Sequence, residues 1–171
     1  MDFTLYVDRF QKVADQLDKK VLDKKQIEVA IGIYMDSVFL KLFKKGWANK
    51  SQDPLIAESR IFFSVWVNDP IINEQKIFYN IHALKLRQLN GYSITSRAFA
   101  DNFRKRFKPM EHQWPNVSMK FGPQTLMEGW VKADTGNYQE KISKLADQFL
   151  EIDYLIDDNL ALFKSNKPRI K

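Results

Sequence analysis

From Glu58 to Leu89 the chain alternates twice, and apolar residues occupy both phases of the alternation. In "ESRIFFSVWVND", Ile61, Phe63, Val65 and Val67 fall on one side and Phe62, Ser64, Trp66 and Asn68 on the other. "KIFYNIHALKLRQL" repeats the pattern, setting Ile77, Tyr79, Ile81 and Ala83 against Phe78, Asn80, His82, Leu84 and Leu86. A period of two means strands. Strands that are apolar on both sides need cover on both. Helices take one face; the other meets more chain, a second copy or a ligand. Three helices shared between the two faces is the plain reading. A concave pocket around Trp66, Asn80 and His82 is the sharper one.

The flanking segments fill in the architecture. Over residues 3–17, Phe3, Tyr6, Phe10, Val13, Ala14 and Leu17 recur at helical spacing, and "LDKKVLDKK" after them reads as a polar connector or a frayed helix end. Residues 26–45 support either a helix or a hairpin. Ile27, Val29, Ile31 and Ile33 alternate and are β-branched, Gly32 disfavours a helix, and "MDS" suits a turn, so a hairpin is expected. "NKSQDP" is a loop and "DPIINEQ" a connector. "NGY" ends the second long strand. Thr95 or Ser96 then caps a helix with Phe99, Phe103 and Phe107 on one stripe, and Pro109 closes it. "NVSMKFGPQTLMEGWVKAD" reads as a second hairpin turning at Gly122–Pro123. From Tyr138 to Phe163 an unbroken three-four rhythm predicts one helix of about seven turns, with Asn137 and Glu140 as its capping pair.

This order predicts an α+β fold over residues 1–163 as a single domain. Its sheet is largely antiparallel, with about six strands, an N-terminal helix, a short basic helix and a long C-terminal helix. Residues 164–171 are expected to be a flexible basic tail.

Composition excludes several classes of chemistry. With 171 residues, 44% hydrophobic and 28% charged, the chain can bury a core without staples. It has no cysteine, which removes disulfides, thiol nucleophiles and thiolate metal sites. No apolar run reaches the ~18 residues of a membrane span, and "MDFTLYVDRFQK" lacks the plan of a signal peptide. The expected location is the cytoplasm, with no membrane partner. The net charge is +6, and the excess lies in the first two thirds of the chain.

That charge raises the question of nucleic acid. Arg97, Arg104, Lys105, Arg106 and Lys108 lie on or just after one helix, and Lys85 and Arg87 end the strand before it. Cations attract phosphates, and nearby aromatic rings stack on bases. Against this, the three Phe fall on one buried stripe, Asp101 sits four residues from both Arg97 and Lys105, and cations suit the last turn of any helix.

Histidine chemistry is thin. His82 lies mid-strand on the face of Asn80, and His112 neighbours Glu111 in a loop; neither has a second histidine at ligand spacing. No phosphate-loop or nucleophile-elbow motif occurs, and "GYSITS" is only a generic anion-friendly helix start, so no cofactor or metal is expected. Asp147 and Glu151 are one turn apart and have the spacing to share a cation, although Asp147, Glu151, Asp153, Asp157 and Asp158 read best as a solvated face. Tyr154 and Leu155 fall off the apolar stripe and suggest a patch for a partner or a second copy. The sequence therefore describes a binding or interaction module without catalysis of its own. Nucleic-acid contact through helix 97–108 is the leading version. A small-molecule binder or enzyme using Trp66, Asn80 and His82 is the rival.

Overall fold

The computed structural model describes residues 1–165. Asp2 opens the first helix, α1 (Phe3–Gln16), by accepting the Leu5 N–H. The segment read as a polar connector or a frayed helix end is a short helix of its own, α2 (Lys19–Lys25). Asp18 caps it by accepting the Lys20 and Val21 N–H groups, and Gln26 ends it in the left-handed conformation at φ 58°. Residues 26–45 form the expected hairpin, β1 (Glu28–Tyr34) and β2 (Ser37–Phe43), joined by Met35 and Asp36 with Met35 at φ 53°. β3 (Arg60–Val67) follows. The connector after it holds one short helix, α3 (Asp69–Asn73), capped by Asn68. β4 (Lys76–Leu84) stops before Lys85, which turns left-handed at φ 46°. The expected strand extension to Leu89 is a single 3-10 turn, Leu86–Gln88. Thr95 caps α4 (Ser96–Phe107) through the Ala98 N–H, and β5 (Thr125–Lys132) completes the sheet.

The strands run β1-β2-β3-β4-β5, each antiparallel to its neighbour. There are five, not six, because the second hairpin does not form. Its first arm contributes only the isolated bridge Ser118–Glu128. The reason lies in Arg104, whose guanidinium donates to the carbonyls of Phe121, Gly122, Thr125 and Leu126. Those carbonyls bond a cation from α4 and not a facing strand. On β5, Gly129 is required by its neighbour: a Cβ there would meet the Tyr79 ring at 2.5 Å and the Pro115 carbonyl at 2.9 Å.

The long C-terminal helix is two helices, α5 (Tyr138–Ile152) and α6 (Tyr154–Leu162), interrupted at Asp153. Asp153 is 2% exposed and pairs with Lys25 at 3.0 Å and Lys44 at 3.1 Å. The rhythm reads straight through the break because apolar spacing is blind to a buried carboxylate on the seam. The interruption brings Leu155 into the core at 2% exposed, so the patch expected at Tyr154 and Leu155 does not exist as a pair. Asn137 begins α5 but does not cap it; its side chain accepts the Asp134 N–H. Lys164 bridges to Tyr92 and the Ser165 N–H donates to Gly91, so the expected tail starts paired; residues 166–171 lie outside the described residues.

The long helices share one face of the sheet. Phe63 of β3 stacks on Phe149 of α5 with ring centroids 4.5 Å apart, and Trp114 meets Phe63, Tyr79 and Phe107 of α4. Tyr6 of α1 packs edge-on against Tyr138 of α5. Val38, Leu40, Leu42, Phe63, Val65, Tyr79 and Ile81 on this side are fully buried. The opposite side carries none of these helices, so the plain reading of helices shared between two faces does not hold.

Candidate functional site

Cross-strand register turns the helix-free face into ordered rows. Phe39, Trp66, Phe78 and Trp130 are successive partners across β2, β3, β4 and β5. One pair of residues further along each strand, Lys41, Ser64, Asn80 and Glu128 are partners in the same way. Phe62 and His82 pair in the next row. An aromatic row and a polar row thus lie side by side over four strands, about 14 Å from end to end at the usual strand spacing. Gly32 makes room for the first ring, since a Cβ there would lie 2.7 Å from the Phe39 Cζ.

The polar row is satisfied at one end and not at the other. The Ser64 hydroxyl donates to the Asn80 Oδ1, and the Asn80 Nδ2 donates to the Glu128 carboxylate at 3.2 Å. Lys41, at the opposite end, has no carboxylate. Its Nζ sits 4.4 Å from the Phe39 ring centroid and 4.5 Å from that of Phe62. Two further nitrogen-bearing groups crowd Phe62: the Arg60 guanidinium at 5.3 Å and the His82 ring at 5.3 Å.

Electrostatics record the same crowding. Burial pulls the Lys41 amine down to about 8, and Arg60 adds to the effect. Burial also lowers Arg60, against a small opposing contribution from Tyr34. His82 is lowered first by burial and further by Lys41 and Arg60, while its hydrogen bond to the Gln124 carbonyl resists. No carboxylate contributes to any of the three. The His82 Nδ1 lies 3.3 Å from the Gln124 carbonyl and 3.2 Å from the Thr125 hydroxyl. Arg60 donates through Nη1 to the Ala57 carbonyl, but its buried Nε finds no acceptor, nor does the buried Trp66 Nε1. Phe62, Ser64 and Asn80 are 6%, 4% and 3% exposed, whereas Phe39, Lys41, Trp66, Phe78 and Trp130 beside them are half-buried.

Comparison with protein families, curated proteins and solved structures finds no match for this chain. The site is therefore read from its own residues.

The structure brings Trp66, Asn80 and His82 onto one face, Trp66 and Asn80 in adjacent rows and His82 beside Phe62. The seven cations of the basic segment are placed differently. Arg104 holds the turn before β5 and the first two carbonyls of that strand, as described. Arg106 pairs with Asp158 at 3.2 Å, Lys108 with Glu111 at 2.7 Å and Lys85 with Glu58 at 3.7 Å. Arg87, Arg97 and Lys105 are exposed and make no ion pair among the described residues; Asp101 pairs with neither Arg97 nor Lys105. Phe99, Phe103 and Phe107 are fully buried. His112 lies in the 3-10 segment Lys108–Gln113, and the described residues contain no group of three candidate metal ligands. No helix among the described residues is long and apolar enough to cross a membrane. Replacing Arg104 by methionine is expected to free the 121–124 turn and cost about 2 kcal/mol. Limited proteolysis should then cut at Lys120, and a loop as protected as in the unsubstituted protein would refute the assignment.

Lys41 and Arg60 are the residues that sequence reading passed over. Lys41 is the lone charge in the apolar strand "SVFLKLF", which was a usable signal. Its closeness to Arg60 and His82 depends on cross-strand register and was not legible.

Proposed function

We propose that this chain is a ligand-binding module whose site is the helix-free sheet face, with the aromatic row Phe39–Trp66–Phe78–Trp130 beside the polar row ending at Lys41. One observation carries the reading: buried donors on this face, Arg60 Nε and Trp66 Nε1, stand without acceptors. Orphaned buried donors are costly, and a site that keeps them is suited to an acceptor brought by a ligand. Trp66, Asn80 and His82 belong to this reading.

Nucleic-acid contact through the Arg97–Lys108 helix has narrower support, in exposed Arg97, Lys105 and Arg87 alone. The cations beside them are tied to carbonyls or carboxylates within the fold.

The test uses 8-anilinonaphthalene-1-sulfonate as an aromatic anionic probe. The expected result is saturable binding with one probe per chain and a raised melting temperature. Affinity should fall about tenfold or more in Trp66→Ala, a loss typical of removing a ring that stacks on the ligand. Neutralising Arg97 and Lys105 together should leave it unchanged. Unchanged probe affinity in a folded Trp66→Ala variant would remove the sheet face as the site.

A further inference from the structure

We infer that Lys41, Arg60 and His82, gathered around Phe62, form an oxyanion subsite, and that the ligand of this face is a small planar organic molecule carrying one carboxylate or phosphate group. The inference rests on the sheet face being the ligand site and adds the chemistry of what it takes.

Three features define the subsite. Lys41 and Arg60 are cations held over the same Phe62 ring, at 4.5 Å and 5.3 Å, with no acid between them. Arg60 lowers the proton affinity of Lys41 and both lower that of His82, so the corner is electrostatically unfavourable when empty of negative charge. The hydrogen-bonding inventory is one-sided as well. The Lys41 ammonium has three N–H bonds and meets only ring faces among the described residues, and the Arg60 Nε points at nothing that accepts. A carboxylate or phosphate supplies what both lack, acceptor lone pairs and a negative charge in one compact group. The His82 imidazole stands at the same ring and gains a proton more readily once an anion is beside it.

The rest of the face limits the ligand. Planar bodies are favoured by the adjoining aromatic row, where Trp66 and Phe78 lie with centroids 5.4 Å apart and Trp66 keeps an unused N–H. The charge is limited to one group by Glu128, which ends the polar row about 14 Å from Lys41 and carries the opposite sign. A polyanion laid across the strands meets that carboxylate. A molecule with a single oxyanion at the Lys41 end does not.

Matched pairs test this. Titration calorimetry would compare 2-naphthoate with 2-naphthamide, and adenosine 5′-monophosphate with adenosine, on the full chain and on Lys41→Met. The expected result is that the anion of at least one pair binds about tenfold or more tightly than its neutral partner. The preferred pair tells carboxylate from phosphate. Lys41→Met should erase that preference while leaving the neutral compound's affinity within about threefold. Equal affinity for charged and neutral partners would overturn the oxyanion subsite and leave the sheet face standing as a site. An anion preference that survives Lys41→Met would place the charge elsewhere and overturn it too. Absence of binding by all four compounds at millimolar concentration would overturn both readings. Tight binding of oligothymidylate alone, lost in Lys41→Met, would replace the small ligand with a polymer.

Discussion

Replacing Asp153 by alanine is expected to cost about 3 kcal/mol of folding stability, equivalent to a fall in melting temperature of roughly 10 °C for a chain of this size. Asp153 is nearly fully buried at the junction of α5 and α6, where its two oxygens meet Lys25 and Lys44. Removing one partner of a buried pair usually costs about 3–5 kcal/mol, because the remaining charge is stranded. Here the lower figure applies. Lys25 is one-third exposed and regains water, and Lys44 keeps Asp157, which also accepts the Trp47 indole N–H at 2.8 Å. Burial works against the Lys44 charge, yet its hydrogen bonds to Asp157 and Asp153 outweigh that and hold it above its ordinary value. Alanine is the better helix former at this position, so propensity alone predicts a gain. Urea denaturation decides between them: a loss below about 1 kcal/mol would mean that the junction does not depend on the carboxylate.

Lys41→Met should act in the opposite direction, stabilising the protein by about 2 kcal/mol at pH 7. An amine lowered from 10.5 to about 8 carries a charge that the folded state disfavours. Taken in full, that shift is worth roughly 3 kcal/mol; partial solvation of the side chain reduces it to about 2. Methionine keeps the stem against Phe39 and Phe62 and drops the charge. The sign with pH follows. Below about 8 the amine is protonated in both states and the penalty is complete. It fades between about 8 and 10.5, where the unfolded chain binds the proton and the folded one does not. The advantage of Lys41→Met should therefore shrink across that window and vanish above it. A variant less stable than the unsubstituted protein at pH 7 would show that something within the fold already compensates Lys41. A residue that lowers stability where it stands is a common mark of a working site, and the same substitution is expected to abolish the preference for anions.

Periodicity carried much of the fold. Alternation over 58–69 and 76–89 marks strands of an antiparallel sheet, because a two-residue period has one physical meaning; over 26–45 the same alternation competed with helical spacing, and the structure decided for the hairpin. The Phe99–Phe103–Phe107 stripe marks a helix with a buried side. Errors arose where one side chain overrode the local pattern. Asp153 divides a helix whose apolar rhythm is continuous. Arg104 occupies carbonyls that would otherwise face a sixth strand. Asp18 makes a separate helix of a lysine-rich segment that reads in sequence as a connector or a frayed helix end, by satisfying its first N–H groups.

The sequence by itself determined the α+β class, the aromatic core and the two-sided apolarity of the central strands, all properties of neighbours along the chain. Only the tertiary structure decided which face the helices leave open and which residues meet there. Lys41, Arg60 and His82 come from three strands, and contact between them depends on register, a relation between segments that no local period encodes. Burial did the same for the basic helix. Its cations look alike in sequence, but Arg104, Arg106 and Lys108 found partners once the chain closed, and Lys41 did not.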